Sequence, residues 1–360
     1  MNELYIGLMS GTSIDGIDAA LVDLSKPTPK LIASHYEKIP ISLKQAIQAL
    51  CHPGPDEINR MGEMDVLLGK QFATAVNTLL KKHNLNAKHI RAIGSHGQTI
   101  RHHPARHFTL QIGDPNVIAA RTGITTVADF RRKDLALGGQ GAPLVPAFHQ
   151  AVFLKKNKNR IVLNMGGIAN VTLFANGKIL GFDTGPGNML LDLWTEKHLQ
   201  KPHDDQGTWA KQGVVHTKLL TKMLADTFFK MPAPKSTGRE YFNAAWLDNF
   251  LIEKISAADV QATLTELTAK SIAAAIQSYV PRGEIFVCGG GAHNNFLMSR
   301  LQHSLPTFSV QTTTQLGIDP DWVEAMAFAW LAKQTLKKKS GNIPEVTGAK
   351  TAAILGGIYQ

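Results

Sequence analysis

Cysteine is scarce in this chain, and its scarcity limits the kinds of protein the chain can be. Two cysteines, Cys51 and Cys288, occur among 360 residues, and they lie far apart in the sequence. A disulfide-stapled secreted domain needs several cysteines at short spacings, so that class is excluded. Two isolated cysteines suit a reducing compartment, and we expect a cytoplasmic protein.

Long hydrophobic runs are also missing. No run approaches the roughly 20 apolar residues that a membrane-spanning helix requires. The N-terminus has no basic stretch followed by a long apolar segment, so no signal peptide is predicted and no membrane partner is expected. With 44% hydrophobic and 18% charged residues, the composition is typical of a globular protein. A length of 360 residues suits two domains.

Acidic residues are outnumbered by basic ones. Lys and Arg total 38 against 28 Asp and Glu, which gives a formal net charge of +10. Such a balance can indicate a nucleic acid, a membrane surface or an anionic small substrate. The basic clusters at Lys155–Arg160 and Lys337–Lys339 contain no interleaved aromatic residues. We therefore predict that nucleic acid is not a partner.

Glycine-rich turns, each directly after an apolar strand, are the most informative feature that is present. Glycine permits positive φ and lets a ligand approach the backbone closely. Successive N–H groups in such a turn form a concavity that suits phosphate. The alternative is that a tight turn uses glycine only for its own geometry. The turns lie at Gly11–Gly16, Gly166–Gly167 and Gly289–Gly291.

The first two turns open two halves of the chain that share one order of elements. Each half runs strand, glycine turn, strand, turn, strand and then helix, and the flexible segment Gly138–Gly141 lies between the halves. Ordinary turns do not explain this duplication, which favours nucleotide binding in an α/β fold with two halves. The apolar pattern predicts strands at 4–8, 19–22, 30–37, 90–94, 125–128, 161–164, 170–174, 179–182 and 284–287. It predicts helices at 42–51, 56–83, 115–121, 189–198, 257–279 and 321–337.

Two carboxylates are candidates for chemistry. Asp183 lies where a strand ends and a Pro-Gly turn begins, a position from which a carboxylate can act as a general base. The same position also suits an aspartate that caps the following helix. Glu324 lies near the start of the last long helix, where an acidic residue complements the helix dipole in any case.

Polar side chains after two other strands are candidates for substrate binding. Arg131 can bind a carboxylate or phosphate through two parallel hydrogen bonds, or form a surface salt bridge. The segment Ser95–Thr99 supplies hydroxyl and amide groups that can bind a sugar, although His96 alone is more typical of a structural histidine. The histidines between Arg101 and His107 do not indicate a metal site, because Pro104 interrupts helical spacing and no carboxylate or cysteine is close.

Seven segments, taken in order, resemble the anhydro-N-acetylmuramic acid kinase family over nearly the whole chain. That family belongs to the actin, hexokinase and sugar-kinase superfamily. The resemblance implies an α/β fold in which two ribonuclease-H-like domains, each with a mixed five-stranded sheet, flank an ATP cleft. The segments are GLMSGTSIDGID, GSHGQTIRHHP, ADFRRKDLALGGQGAPLVP, LNMGGIANVT, GFDTGPGN, VCGGGAHN and EAMAFAWLA.

The domain boundaries that we expect follow from this resemblance and from the glycine-rich link. Residues 1–130 would form an N-terminal domain that binds sugar and phosphate, with residues 346–360 packing back on it. Residues 131–345 would form a C-terminal domain that binds nucleotide and carries the catalytic base.

The implied activity couples hydrolysis to phosphorylation. The enzyme would take 1,6-anhydro-N-acetylmuramic acid, ATP and water, open the anhydro bridge, and phosphorylate the freed 6-oxygen. The products would be N-acetylmuramic acid 6-phosphate and ADP, in cell-wall recycling. Mg²⁺ is the implied metal, and a homodimer is the implied assembly.

The resemblance also implies roles for individual residues. Asp183 would be the base that activates water, and Met9 occupies the position where most of the superfamily has a metal-organising aspartate. Asp15, Asp18 and Asp183 are therefore the candidate Mg²⁺ partners. The sugar would be lined by Gln98, Thr99, Arg131 and Glu324. The ATP would be bound by Gly11, Thr12, Ser13, Ile14, Asp15, Gly16, Ile17 and Asp18, by Gly166, Gly167 and Asn170, and by Gly289, Gly290 and Gly291.

There are three alternatives to this function. Another sugar kinase or an acetate-type kinase would share the glycine turns but not the segments around Gln98 and Arg131. A sugar-sensing transcriptional regulator would need a DNA-binding segment, for which we find no room before the strand at Leu4. A ribonuclease-H-type nuclease would need clustered carboxylates on the first strands and a basic groove.

Overall fold

The computed structural model describes residues 3–11, 13–155, 158–175, 177–251 and 254–360. Its strands are β1 (Leu4–Met9), β2 (Gly16–Asp23), β3 (Lys30–Lys38), β4 (Ile90–Ser95), β5 (Gln98–His103), β6 (Phe108–Ile112), β7 (Thr126–Ala128), β8 (Arg160–Met165), β9 (Ile168–Ala175), β10 (Lys178–Pro186), β11 (Gly283–Cys288), β12 (Phe308–Thr312) and β13 (Gly357–Tyr359).

The helices surround these strands. They are α1 (Ile41–Leu50), α2 (Glu57–Lys82), α3 (Pro115–Thr122), α4 (Arg132–Ala136), α5 (Val145–Phe153), α6 (Met189–Leu199), α7 (Thr217–Leu224), α8 (Thr227–Lys230), α9 (Ala244–Asp248), α10 (Ala257–Gln277), α11 (Asn295–Ser304), α12 (Val323–Leu336) and α13 (Pro344–Thr347). Short 3₁₀ turns lie at Ala87–His89, Pro104–Arg106, Asp205–Gly207, Ala210–Gln212, Gly290–His293 and Thr313–Leu316.

The chain forms two compact units. Unit 1 comprises residues 1–152 and 322–360, and unit 2 comprises residues 153–321. Among the residues described, unit 1 has a six-stranded sheet in the order β13-β7-β4-β1-β2-β3 and a separate ribbon of β5 and β6. The sheet of unit 2 has five strands in the order β10-β9-β8-β11-β12.

The two sheets share one topology. In each, the first three strands pair antiparallel and the fourth lies parallel to the first. The fifth strand is parallel to the fourth in both units. The predicted fold class, an α/β chain with two ribonuclease-H-like mixed sheets, is confirmed. Unit 1 differs from the expected five strands because β13 adds to β7 as a further antiparallel strand.

The apolar pattern explains the helices on which unit 1 is built. The apolar residues Leu68, Phe72, Val76 and Leu79 recur on one face of α2, and all four are fully buried. The Asp114 carboxylate caps α3 by accepting a hydrogen bond from the N–H of Asn116 at 2.8 Å, as the Asp-Pro signal predicts.

Helix α12 packs closely against the sheet of unit 1 because two glycines face it. Gly7 of β1 and Gly94 of β4 lie side by side in the sheet. A Cβ atom at Gly7 would overlap the carbonyl oxygen of Ala325, and one at Gly94 would overlap that of Phe328. The glycines therefore fix the position of the helix that carries Glu324.

The division into units differs from the expected domain boundaries. Residues 131–152 and 322–345 were expected in the second domain but lie in unit 1. Helix α12 packs on β1 and β4. The buried carboxylate of Asp134 accepts hydrogen bonds from Asn342 Nδ2 at 2.7 Å and Thr347 Oγ1 at 2.8 Å. These contacts join both segments to unit 1.

Two further observations concern the region after α6 and the prediction that the chain has no membrane-spanning helix. Residues 200–250, for which no strand or helix was predicted, contain the short helices α7, α8 and α9. Among the helices that the structure describes, none combines the length and hydrophobicity needed to cross a bilayer.

Candidate active site

A row of polar side chains crosses the sheet of unit 2 close to its first turn. Asn164 of β8 pairs directly with Asn170 of β9, which pairs directly with Asp183 of β10. Residues directly opposite each other in a sheet point to the same face, so the three side chains are neighbours. The adjacent residues Leu163, Val171 and Phe182, which point to the other face, belong to the hydrophobic core.

Asp183 is held from one side by a distant loop. Its N–H donates to the carbonyl of Lys235 at 3.0 Å, and its Oδ2 accepts from the N–H of Thr237 at 2.9 Å. The pairing of β10 with β9 shifts register between Asp183 and Gly185, an irregularity that re-aims side chains at strand ends. Within the described residues, no hydrogen bond reaches Oδ1. One carboxylate oxygen is thus fixed, and the other is available for chemistry.

The surroundings make Asp183 a stronger base than an ordinary aspartate. The pKa of its carboxyl is raised to about 6, mainly by burial and also by the negative charge of Glu240. The N–H of Thr237 and the charge of Lys235 act in the opposite direction. A carboxylate with this pKa is largely ionised at neutral pH and accepts a proton readily.

The segment Lys235–Glu240 is part of the site that the sequence analysis missed. The Nζ of Lys235 donates to the Phe228 carbonyl at 2.9 Å and lies 4.5 Å from the centre of the Phe228 ring. That anchor places the loop along the edge of β10. Small polar residues after Pro234 are the local signal for such a loop, but they do not show which strand it reaches.

The second and third glycine turns meet in unit 2. The carbonyls of Gly166 and Gly167 accept hydrogen bonds from the N–H groups of residues 187–189, where α6 begins. Asn188 Nδ2 also donates to the Met165 carbonyl at 3.2 Å. Gly289 has φ +79°, and a Cβ atom there would lie 2.5 Å from Asn164 Oδ1. A Cβ atom at Gly291 would lie 2.6 Å from Met165 Cβ, so the third turn needs glycine where it contacts the end of β8.

Unit 2 therefore brings together most of the residues predicted for it. The turns lie at the carboxyl ends of β8 and β11, and the polar row of Asn170 and Asp183 starts beside them. This edge of an α/β sheet is where ligands commonly bind. The residues concerned are Gly166, Gly167, Asn170, Asp183, Gly289, Gly290 and Gly291.

The first glycine turn lies in unit 1 between β1 and β2. Ile14 and Ile17 are buried in the core of that unit, so only their backbone groups could reach a ligand. Asp15 is exposed and forms an ion pair with Lys44. Asp18 pairs across the sheet with Met9 and with Tyr36. Thr12, predicted to bind ATP, lies outside the described residues.

Gln98 is joined to this turn. The Ser10 hydroxyl donates to Gln98 Oε1 at 2.7 Å and lies 3.1 Å from the carbonyl oxygen of Gly16. Thr99 follows in the same strand and points to the opposite face, where its hydroxyl accepts a hydrogen bond from Gln111 at 3.0 Å. The structure thus brings Gln98, but not the side chain of Thr99, to the turn.

Arg131 and Glu324 are close enough to interact electrostatically in unit 1. Burial lowers the pKa of Arg131 to about 10, while the negative charges of Glu324 and Asp134 act to raise it. Burial raises the pKa of Glu324, and the charge of Arg131 opposes that shift. Arg131 is protonated at neutral pH and is a suitable partner for an anion.

A metal site made of protein groups alone is not found in the described part of the chain. There, no three His, Cys, Asp or Glu residues come together in a way that could hold a metal ion. Magnesium is commonly held by one or two carboxylates together with substrate phosphates. Asp15, Asp18 and Asp183 fit Mg²⁺ only in that shared form.

The chain combines duplicated mixed sheets with glycine turns that lie beside Asp183, a carboxylate with a raised pKa. This combination defines a kinase of the sugar-kinase class. The family model described as anhydro-N-acetylmuramic acid kinase matches residues 3–360. The chain belongs to that family.

Relatives with the same description come from Shewanella. The chain is 55% identical over 364 residues to the anhydro-N-acetylmuramic acid kinase of Shewanella pealeana, with 99% of each chain covered. It is 56% identical over 360 residues to that of Shewanella amazonensis, with 98% of this chain and 97% of the relative covered.

Solved structures show a weaker likeness. A ROK family glucokinase from Streptomyces griseus, in complex with glucose and AMPPNP, is 12% identical with a TM-score of 0.44. The match covers 92% of this chain and 99% of that chain. A likeness at this level carries no inference about the ligands of this protein.

Proposed function

We propose that this chain is the ATP-dependent kinase that opens 1,6-anhydro-N-acetylmuramic acid with water and phosphorylates its 6-oxygen. The products are N-acetylmuramic acid 6-phosphate and ADP, and the reaction serves cell-wall recycling. Family membership supports the substrate and the reaction. The mechanism rests on Asp183, whose carboxylate is held through Oδ2 and whose pKa is raised to about 6.

The two bond changes share one oxygen atom. Asp183 Oδ1 removes a proton from water, and the water oxygen attacks the anomeric carbon. The bond between that carbon and the bridging 6-oxygen breaks, and its electron pair stays on the 6-oxygen. That oxygen attacks the γ-phosphorus of ATP, and ADP leaves. Asp183 later releases its proton to solvent, so the leaving group of the first step is the nucleophile of the second.

Backbone groups would bind the phosphates. The turns at Gly11–Asp18 and Gly166–Gly167 present N–H groups after strand ends, and Gly289–Gly291 would border the adenosine. Mg²⁺ would neutralise phosphate charge. Asp15, Asp18 and Asp183 are the protein groups that we propose as its partners.

The sugar would contact polar groups of unit 1. Arg131 suits the lactyl carboxylate, since its guanidinium keeps its charge in a partly buried position. Gln98 and Glu324 suit the hydroxyl and amide groups of the ring, and Thr99 would act from the neighbouring face of β5. We further propose that the protein works in the cytoplasm as a homodimer.

The direct test is ADP release by the purified protein. With ATP and Mg²⁺, 1,6-anhydro-N-acetylmuramic acid should stimulate ADP release strongly, whereas glucose and acetate should leave it at background. Stimulation by glucose or acetate, with none by the anhydro sugar, would instead indicate another kinase of the same fold.

A further inference from the structure

The Arg131 guanidinium is fixed by two neutral acceptors. Its Nε and Nη2 both donate to Nε2 of His96, at 3.1 and 2.9 Å. Its Nη1 donates to the carbonyl of Gly141 at 2.8 Å. Gly141 is itself held, because its N–H donates to the buried carboxylate of Asp134 at 2.8 Å. The guanidinium is therefore held on two sides, by His96 and by Gly141.

His96 must be neutral to make these contacts. An imidazole nitrogen that accepts from a guanidinium carries a lone pair, so the ring proton lies on Nδ1. Burial and the charge of Arg131 hold the pKa of His96 well below its usual range. His96 is 6% exposed, its ring centre lies 4.8 Å from that of Phe328, and its backbone N–H donates to the Leu8 carbonyl. The ring has little freedom to turn away.

Among the described residues, the guanidinium forms no ion pair with a carboxylate, and it has two spare donors. Three of its five N–H groups are used, which leaves one on Nη1 and one on Nη2. Within the described part of unit 1, no carboxylate oxygen forms an ion pair with Arg131, and Glu324 and Asp134 act only through longer-range electrostatics. A planar cation with two spare donors is suited to an external carboxylate.

We propose that His96 is a positioning residue that orients Arg131 without neutralising it, and so selects substrates that carry a carboxylate. This inference rests on the proposed function, in which Arg131 binds the lactyl carboxylate. A glutamate or aspartate in place of His96 could accept the same hydrogen bonds, but it would cancel the charge that the substrate needs. A neutral acceptor supplies geometry and leaves the attraction for the ligand.

Three variants separate geometry from charge. His96→Phe keeps a ring against Phe328 but removes the acceptor. His96→Gln keeps a neutral acceptor near the position of Nε2. His96→Glu keeps an acceptor and adds a negative charge. His89→Glu, at an exposed position of the same unit, controls for added charge alone.

The readout is the dissociation constant, by calorimetry, for 1,6-anhydro-N-acetylmuramic acid and for its neutral lactyl carboxamide. We expect the wild type to favour the acid. His96→Glu should weaken binding of the acid about 10- to 100-fold, the range of a charge-assisted hydrogen bond, and change binding of the amide little. His96→Phe should weaken binding of the acid less than His96→Glu does, and His96→Gln should bind both ligands about as the wild type does. His89→Glu should change neither ligand.

The outcomes distinguish the two levels of the argument. If the wild type binds neither ligand, the proposed function fails. If the wild type prefers the acid and all three His96 variants keep that preference, the role of His96 is refuted. Equal weakening of acid and amide would assign His96 to folding alone. Thermal melting of each variant identifies any that fail to fold. If His96→Phe and His96→Glu do not fold, His96→Asn decides the question, because its shorter side chain leaves no acceptor at the position of Nε2. The proposal then requires a smaller preference for the acid in His96→Asn than in His96→Gln, and equal preferences would refute it.

Discussion

The two sheets have the same strand order but carry different chemistry at the same kind of place. In unit 2 the row beside the turn is Asn164, Asn170 and Asp183. In unit 1 the corresponding row is Met9, Asp18 and Tyr36. The carboxylate therefore sits on the outer strand of the hairpins in unit 2 and on the middle strand in unit 1.

The difference shows that the shared strand order fixes where a side chain lies beside the turn. The residues around that side chain then determine its chemistry. Asp183 is buried beside Lys235–Glu240, and burial is the main cause that raises its pKa to about 6. In unit 1 burial raises the pKa of Tyr36, and the charges of Asp15 and Asp18 raise it further. We infer that unit 2 supplies the proton acceptor and that unit 1 supplies binding groups.

The largest expected effect is the loss of the base. Asp183→Asn should lower kcat by about 10²- to 10⁴-fold, the usual contribution of a general base, while ATP still binds. Asp18→Asn, the matched change in unit 1, should act mainly on the KM for ATP with Mg²⁺. Steady-state kinetics and calorimetry of ATP binding check both. Equal losses of kcat in the two variants would break the distinction between the units.

Removal of the cation in unit 1 should act on substrate binding. Arg131→Ala should raise the KM for 1,6-anhydro-N-acetylmuramic acid by about 10- to 100-fold, because a charge-assisted pair is lost. Inhibition by the lactyl carboxamide should change much less. If acid and amide lose affinity to the same extent, Arg131 does not contact the carboxylate.

A packing change should affect the stability of unit 1. Gly94→Ala introduces a Cβ atom against the Phe328 carbonyl and should lower the free energy of unfolding by about 1–3 kcal/mol. Gly62→Ala, in an exposed position of α2 with open space around it, should instead raise it by about 0.5–1 kcal/mol. Thermal or urea unfolding measures both. A neutral Gly94→Ala would contradict the close packing of α12.

The smallest expected effect is on the pH profile. Asp183 must be ionised to act, so kcat should fall as the pH drops through about 6. Glu240→Gln removes a charge that raises the pKa, so the fall should move to lower pH. Lys235→Gln removes a charge that lowers it, so the fall should move to higher pH. Rate profiles from pH 5 to 8 check these directions, and shifts of the same sign would contradict the account.

Local patterns predicted those parts of the fold and site that depend on neighbours in sequence. The strands around the glycine turns and the capped start of α3 follow from such patterns. The strand that carries Asp183 was also predicted, but it continues to Pro186 and does not end at Asp183. The strand β13 was not predicted, because its three residues are too few to show an alternating pattern.

Contacts between distant residues could not be predicted in the same way. Thr237 lies 54 residues from Asp183, and His96 lies 35 residues from Arg131. Nothing in either local sequence specifies its partner. His96 was assigned a structural role in isolation, and its contact with Arg131 is visible only once β4 and α4 are placed. The observed units differ from the predicted domains for the same reason, because α12 packs on a sheet that is formed by the start of the chain.

The most direct test of the central claim follows the oxygen of water. The reaction is run with ATP in ¹⁸O-water and quenched early, and the product is fragmented in a mass spectrometer. Unlabelled product kept in ¹⁸O-water for the same time corrects for exchange at the anomeric position. The account predicts one ¹⁸O atom at the anomeric oxygen of N-acetylmuramic acid 6-phosphate and none in its phosphate. Label in the phosphate, or an unlabelled sugar, would contradict attack by a water activated by Asp183.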